Sequence, residues 1–204
     1  MSALPKTDRV ADHPIDPRFP ARWSPRAFDG RAMSAETLSP LFEAARWAPS
    51  CMNSQPWRFV YALKGGADWA GFLDVLSPTN QIWVKDASAL VFVCSQTLIG
   101  PPGATSGMPS PSHSFDAGAA WMQLALQAME MGLQTHAMAG FDRDRAAALL
   151  GVPETCRLEA AIAIGWPGDP AALPEALQAR ETPSGRHPIE SFSYAGRFPP
   201  AAPA

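Results

Sequence analysis

The chain has no CxxC pair, and its three cysteines, Cys51, Cys94 and Cys156, lie far apart. That argues against a disulfide framework and a cysteine-built zinc site, and it favours a reducing compartment. The four histidines, His13, His113, His136 and His187, are equally unpromising as metal ligands, because none has a second histidine three or four residues away. No metal is expected. No apolar run reaches the roughly 18 residues that a membrane-spanning helix needs. The longest, Ala87 to Cys94, is strand-sized. Residues 1–20 mix Asp, His, Pro and Arg without an apolar centre, so they do not read as a secretory signal. G-x-S-x-G, P-loop and G-x-G-x-x-G patterns are all missing, which removes the common hydrolase, NTPase and Rossmann readings. Sixteen Lys and Arg against 19 Asp and Glu give a net charge of −3. Nothing in that balance invites nucleic acid or an anionic membrane. It suits a cytoplasmic enzyme, and it makes any local gathering of arginines more notable.

What is present is globular. The 204 residues, 47% hydrophobic and 17% charged, are enough for one domain with an ample core. Pro5, Pro14, Pro17 and Pro20 keep the first 20 residues extended. A helix starts at either Ser34 or Ser39 and runs to Trp47, where Pro49 stops it. Trp57 to Leu63 reads as a strand, and Ala67 to Leu76 as a short helix. Ser88 to Cys94 is apolar on both faces, as a central strand should be. Gly100 to Ser112 forms a long Gly/Pro/Ser-rich loop, of the kind that is usually a functional lid or disordered. Ser114 to Met131 is a helix apolar around nearly its whole circumference, so it must be buried in a core or against a second subunit. Gln134 to Ala139 and Leu158 to Ile164 read as strands flanking a short helix capped by Asp142 and ended by Gly151. From Pro167 the chain is irregular and needs a surface to lie on, for which a partner subunit is the economical answer. The intermixed elements make the class α/β or α+β.

Two clusters carry the chemistry. Arg22, Ser24 and Arg26 fall within five residues, and a helix beginning here would put both guanidinium groups on one face. The plain alternative is a pair of solvated arginines. Cations at a helix start oppose its dipole unless they face an anion. One helix downstream, Pro49, Ser50, Cys51, Asn53, Ser54 and Gln55 precede Trp57. Amide and hydroxyl groups of this kind match the donor–acceptor edge of a heteroaromatic ring, although a polar turn has the same composition. An anion clamp followed by a ring-reading loop is the layout flavin mononucleotide (FMN) requires. Asn80 alone reads as a turn residue, and Arg186 as either a late phosphate ligand or a surface arginine. Gly140 is either a close approach to a flat ligand or a turn glycine. Cys51 could serve as a nucleophile, but it has no base evident beside it.

Arg22-x-Ser24-x-Arg26-x-Phe28 followed by Ala48 to Trp57 resembles the FMN-dependent nitroreductase family, and the similarity continues through Asn80, Phe141 to Gly165 and Arg186. The resemblance implies an α+β fold with a central, mixed but mostly antiparallel sheet flanked by helices, in a homodimer with swapped tails and FMN at the interface. An arm over 1–20, an FMN-binding domain over 21–190 and a tail over 191–204 follow from it. Arg22, Ser24, Arg26 and Arg186 would hold the phosphate and ribityl end. Pro49, Ser50, Cys51, Asn53 and Gln55 would serve the flavin, partly that of the other subunit. Asn80, Met138, Ala139 and Gly140 would lie along the ring. The chain departs from many relatives at Ala139, where they carry an acid, and at Ser184, where they carry a base. The implied activity takes hydride from NADH or NADPH and reduces a small electron acceptor such as a nitroaromatic, quinone or enone, with no side chain assigned as catalyst. Three rivals stand at this point: a flavin-binding or redox-sensing module without turnover, a specialised relative acting on aldehydes or halogenated aromatics, and a non-flavin α/β domain.

Overall fold

The computed structural model describes residues 4, 5 and 7–199. Positions 1–3 and 6 of the expected arm and 200–204 of the expected tail lie outside the described residues. In chain order the elements are α1 (Arg18–Ala21), α2 (Ala35–Arg46), β1 (Trp57–Leu63), α3 (Trp69–Asp74), α4 (Pro78–Val84) and β2 (Ala89–Gln96). There follow β3 (Leu98–Ile99), β4 (Met108–Pro109), α5 (His113–Glu130), β5 (Gln134–Met138), α6 (Arg143–Leu150), β6 (Cys156–Gly165) and α7 (Glu175–Gln178).

Four strands form the main sheet in the order β1-β2-β6-β5, with every neighbouring pair antiparallel. The class is α+β. β2 is buried at every position, as its two-sided apolar sequence requires. Its alternate residues feed separate cores. Ala89, Val91 and Val93 pack with α2 and α5, while Leu90, Phe92 and Cys94 pack with residues of α3, α4 and α6. The sheet is therefore sandwiched between two helical layers. A register shift between Val93 and Cys94 leaves Glu159 as the extra residue on β6. Its carboxylate accepts hydrogen bonds from Ser95 (2.5 Å) and Ser114 (2.6 Å), which ties the bulge to the first turn of α5.

Local signals explain most boundaries. Ser34, not Ser39, caps α2, its hydroxyl accepting from the Thr37 N–H, and Pro40 lies inside the helix. Asp142 caps α6, and Gly151 ends it in the left-handed region at φ 62°. α4 is an element the sequence did not announce, with Pro78 in its first turn and Asn80 helical instead of in a turn. The long loop after β2 is folded back as the β3–β4 hairpin and pinned by buried Gln96. The Gln96 carboxamide donates to Leu98 O (3.0 Å) and Pro101 O (3.1 Å) and accepts from Gly103 N–H (3.0 Å). α5 buries Ala117, Ala120, Leu124 and Ala128, while Phe115 on another face is 82% exposed. The all-round apolar helix thus has one face in the core and another uncovered in the single chain.

The segment that matters most for the site, residues 22–28, is clamped to the sheet edge. Phe28 makes a β-bridge with Pro167 and stacks on Trp83 at 6.2 Å. Ala27 O accepts from Gly168 N–H (2.8 Å) and from the Gln134 carboxamide. A side chain at Gly168 would run into the Phe28 carbonyl and the Asp29 nitrogen, so only glycine lets these backbones meet. Gly168→Ala is expected to cost about 1–3 kcal/mol, a fall in melting temperature of about 3–10 °C by differential scanning calorimetry. An unchanged melting temperature would show that this contact does not clamp the segment.

Candidate functional site

Arg22 follows α1 directly and is already extended, with ψ 123°. Residues 22–26 do not begin a helix, which corrects one basis for grouping the arginines. The grouping survives for a different reason: in an extended chain alternate residues share a face, so Arg22, Ser24 and Arg26 can point together. Arg22 Nη1 lies 3.4 Å from Ser24 Oγ, to which it donates. A cavity of about 340 Å³ opens on this face, lined by Ser24, Arg26, His136, Arg180, Ser184 and Arg186, with Arg9, Trp23 and Thr182 completing it.

The charges in and around this cavity are unbalanced. Burial, then the nearby charges of Arg186 and Arg9, lower the Arg22 pKa, and burial, then Arg186, lowers that of Arg9. Among the described residues neither Arg9, Arg22 nor Arg186 has a carboxylate within ion-pair distance. Arg26 alone is answered, by Glu181 at 3.7 Å. Glu181, its side chain only 2% exposed, also accepts from the backbone N–H groups of Arg26 (2.6 Å) and Ala27 (2.8 Å). The other Glu181 oxygen has no hydrogen-bond partner. Like charges held together without counterions repel, and an anion with several acceptor oxygens would reverse the sign of that energy. The donor set fits a phosphate group.

His136 forms the floor of the cavity. Its Nδ1 lies 3.0 Å from Pro25 O, which can only accept, so the proton sits on Nδ1 in the neutral ring. Burial first, and then the charges of Arg26 and Arg180, push its pKa down to about 4. At neutral pH the ring is an uncharged wall among guanidinium groups. Trp83 of α4 packs against it at 4.6 Å.

A second group of expected residues lies along and just beyond β5, the strand that carries His136. Met138, two positions after His136, shares its face of the strand and is buried. Ala139 is exposed and Gly140 half-buried beyond it. Asn80 Nδ2 donates to Gly140 O at 3.0 Å, and Ser77 N–H donates to the same oxygen at 2.9 Å. A methyl group at Gly140 would sit 2.6 Å from Asn80 Nδ2. The space left by the glycine is therefore taken by the Asn80 carboxamide.

The loop Pro49 to Gln55 lies elsewhere. It turns through a 3₁₀ turn at Cys51–Asn53, and Met52 (φ 53°), Asn53 (φ 54°) and Gln55 (φ 46°) all occupy the left-handed region. Such residues cost about 1–3 kcal/mol each unless the surroundings compel them. Here the buried Asp116 carboxylate accepts from Cys51 N–H (3.1 Å) and Ser112 Oγ (3.0 Å), and Ser50 Oγ accepts from Gln55 N–H (3.0 Å). The side chains of Cys51, Met52, Asn53 and Gln55 face solvent, as does Pro49, while Ser50 is half-buried. None of them lines the arginine cavity of the same chain.

The chain thus brings Ser24, Arg26 and Arg186 to one cavity with Arg22 in electrostatic reach of Arg186, sets Met138 on the His136 face of β5 with Asn80 bonded to Gly140 beyond it, and keeps 49–55 out of that cavity's lining. Sequence reasoning missed Arg9, His136, Arg180 and Thr182. Arg180 and Thr182 precede Arg186 by a few residues, so their proximity was open to view, whereas Arg9 and His136 arrive only through the fold. Among the described residues no group of His, Cys, Asp and Glu is arranged to hold a metal ion, and no helix is long and apolar enough to cross a membrane.

Comparison with known proteins gives the chain a family. Residues 20–166 match the model of the Nitroreductase family. An uncharacterised 15.4 kDa protein of Mycolicibacterium smegmatis is 35% identical over 149 residues, covering 69% of this chain and 97% of that protein. A crystal structure described as an oxidoreductase containing FMN is 44% identical with a TM-score of 0.89, covering 98% of this chain and 99% of that one. A mutant of an FMN- and NADPH-dependent nitroreductase from a Sphingopyxis strain shares the fold alone, at 20% identity and a TM-score of 0.67, over 89% of this chain and 98% of that one. With its sheet order, its clamped arginine segment and a family match over residues 20–166, the chain belongs to the nitroreductase family.

Proposed function

We propose that the protein is an FMN-dependent oxidoreductase that takes electrons from NADH or NADPH and reduces small, electron-poor acceptors such as nitroaromatics or quinones. The observation that carries this reading is the cluster of half-buried Arg9 and Arg22 with exposed Arg186, without a carboxylate partner among the described residues, beside Ser24. It fits a phosphomonoester. The 44% identical structure described as containing FMN supports the same cofactor.

Bound FMN would supply the redox chemistry, accepting hydride from the nicotinamide and passing it to the acceptor. The residues of this chain would do the holding. Arg22, Ser24, Arg26 and Arg186 would grip the phosphate and ribityl end. Met138, Ala139 and Gly140, with Asn80 fixing the Gly140 carbonyl, would form a wall for the ring. No side chain is assigned as acid or base. Proton supply falls to solvent, which suits a site whose histidine is neutral and turned toward a backbone carbonyl.

The protein would work as a homodimer. The left-handed loop of Pro49, Ser50, Cys51, Asn53 and Gln55 projects its side chains outward and would meet the flavin held by a second copy. Exposed Phe115 on α5 and exposed Phe192 and Phe198 in the tail support such a pairing, since each leaves a large apolar ring in water that a partner would cover. The tail (191–204) would embrace the partner, after a core domain spanning 21–190 that the arm (1–20) precedes. Free Cys51, Cys94 and Cys156 accord with a reducing, cytoplasmic setting.

Purified protein should be yellow, bleach anaerobically with NADH or NADPH, and recover its colour on adding a quinone or nitroaromatic. Arg22→Glu, which puts a carboxylate among the arginines, should lower FMN occupancy at least about tenfold by absorbance at fixed protein concentration. Full occupancy in that variant would refute the clamp.

His136 adds a pH signature to the cofactor-free protein. The unfolded imidazole takes its proton near 6.5 and the folded one only near about 4, so the unfolded state binds more protons between those values. Stability should fall by about 3 kcal/mol as pH drops through that window and level off below it. Urea unfolding at pH 7 and pH 5 should show this slope in the wild type and its loss in His136→Gln. Equal slopes in both would mean the ring is not held neutral.

A further inference from the structure

We infer that Arg9, on the N-terminal arm, is a ligand of the bound phosphate group, so that residues 7–22 form a strap over the anion site and not merely a leader to the fold. This inference rests on the proposed function for the identity of the anion, but it concerns a residue outside the segment matched to the family.

The arm has little else to hold it. Val10 is 90% exposed, and Ile15 and Phe19 are more than half exposed, so apolar burial does not fasten it to its own chain. Its side-chain hydrogen bonds are mostly local, Thr7 with Arg9 and Asp16 with Arg18. Beyond a long ion pair from Arg18 to Glu130 (3.5 Å), the described arm reaches the body by side-chain polar contact through Arg9. Arg9 Nη1 donates to Arg22 O at 3.3 Å, and the guanidinium joins the lining of the arginine cavity.

That placement is a poor one for a cation alone. Arg186 lies close enough to lower the Arg9 pKa, and Arg9 in turn bears on Arg22. Arg9 Nε is buried without a hydrogen-bond partner. A buried guanidinium donor without an acceptor, in the company of two like charges, is unfavourable on both counts. A phosphate oxygen facing the cavity corrects both. A turn of the side chain that opens Nε to the cavity lets the oxygen accept from it, and the anion's charge, about −1.5 to −2 for a phosphomonoester near neutral pH, turns the mutual repulsion into shared attraction. Because the anion would bind the closed arm better than a free one, binding and arm closure are linked.

The test compares wild type, Arg9→Gln and Arg9→Lys, measuring the Kd of FMN and of riboflavin by quenching of flavin fluorescence. Losing a charge-assisted bond should weaken FMN about tenfold to a hundredfold in Arg9→Gln. Riboflavin binding should be unchanged, and Arg9→Lys should recover part of the loss because it keeps charge without the planar fork. Independently of any variant, amide hydrogen exchange over residues 7–17 of the wild type should slow on adding FMN or inorganic pyrophosphate. Equal FMN affinity in Arg9→Gln, or unchanged exchange in the arm with either anion, overturns the inference. Absence of FMN binding by the wild type would defeat the proposed function instead, and the pyrophosphate experiment would still decide Arg9.

Discussion

Repulsion among guanidinium groups gathered about one firmly held backbone segment, residues 22–28, shapes everything around it. Arg186 bears on Arg9, both bear on Arg22, and no carboxylate pairs with the three among the described residues. A flexible chain would let them separate. Here Arg22 and Arg26 belong to an extended segment bridged to Pro167 through Phe28, bonded to Gly168 through Ala27, and fixed to Glu181 through two backbone amides. The buried sheet carries that segment, and the carboxylate nearest it is largely spent on backbone donors. Arg26 is the only guanidinium of the group that Glu181 moderates.

On the other side of the fold, backbone strain is held by one buried acid. Met52, Asn53 and Gln55 occupy backbone conformations that favour glycine, yet none is glycine. Asp116, at the start of α5 and almost wholly buried, holds the loop by accepting from Cys51 N–H. The same helix therefore supports the strained loop at one end and offers exposed Phe115 beside it. A loop built to present side chains outward, next to an uncovered apolar face, is consistent with a site completed by a second copy.

Much of this was legible in the residues, though not always for the reason first supplied. Trp57–Leu63 could be read as a strand because its aromatic and β-branched composition has few other uses, and Asp142 with Gly151 delimited α6 through capping chemistry alone. Arg22, Ser24 and Arg26 lie on extended backbone, so alternation and not helical spacing relates their side chains. α4 was hidden because Pro78 and Asn80 carry turn chemistry as readily as helix-start chemistry. Arg9 and His136 could not be found locally at all. Each joins the cavity through pairing of distant segments, and sequence spacing holds no record of that. The hairpin after β2 was likewise invisible, since its order comes from the single buried carboxamide of Gln96.

Phosphorus NMR of protein-bound FMN across pH reads directly whether guanidinium groups grip the phosphate as its dianion, as proposed. Free phosphomonoesters take up their second proton near a pKa of about 6. Held by several guanidinium groups, the bound phosphate should keep the chemical shift of the dianion down to about pH 5. A bound resonance that titrates near 6, as it does in free FMN, would contradict the account.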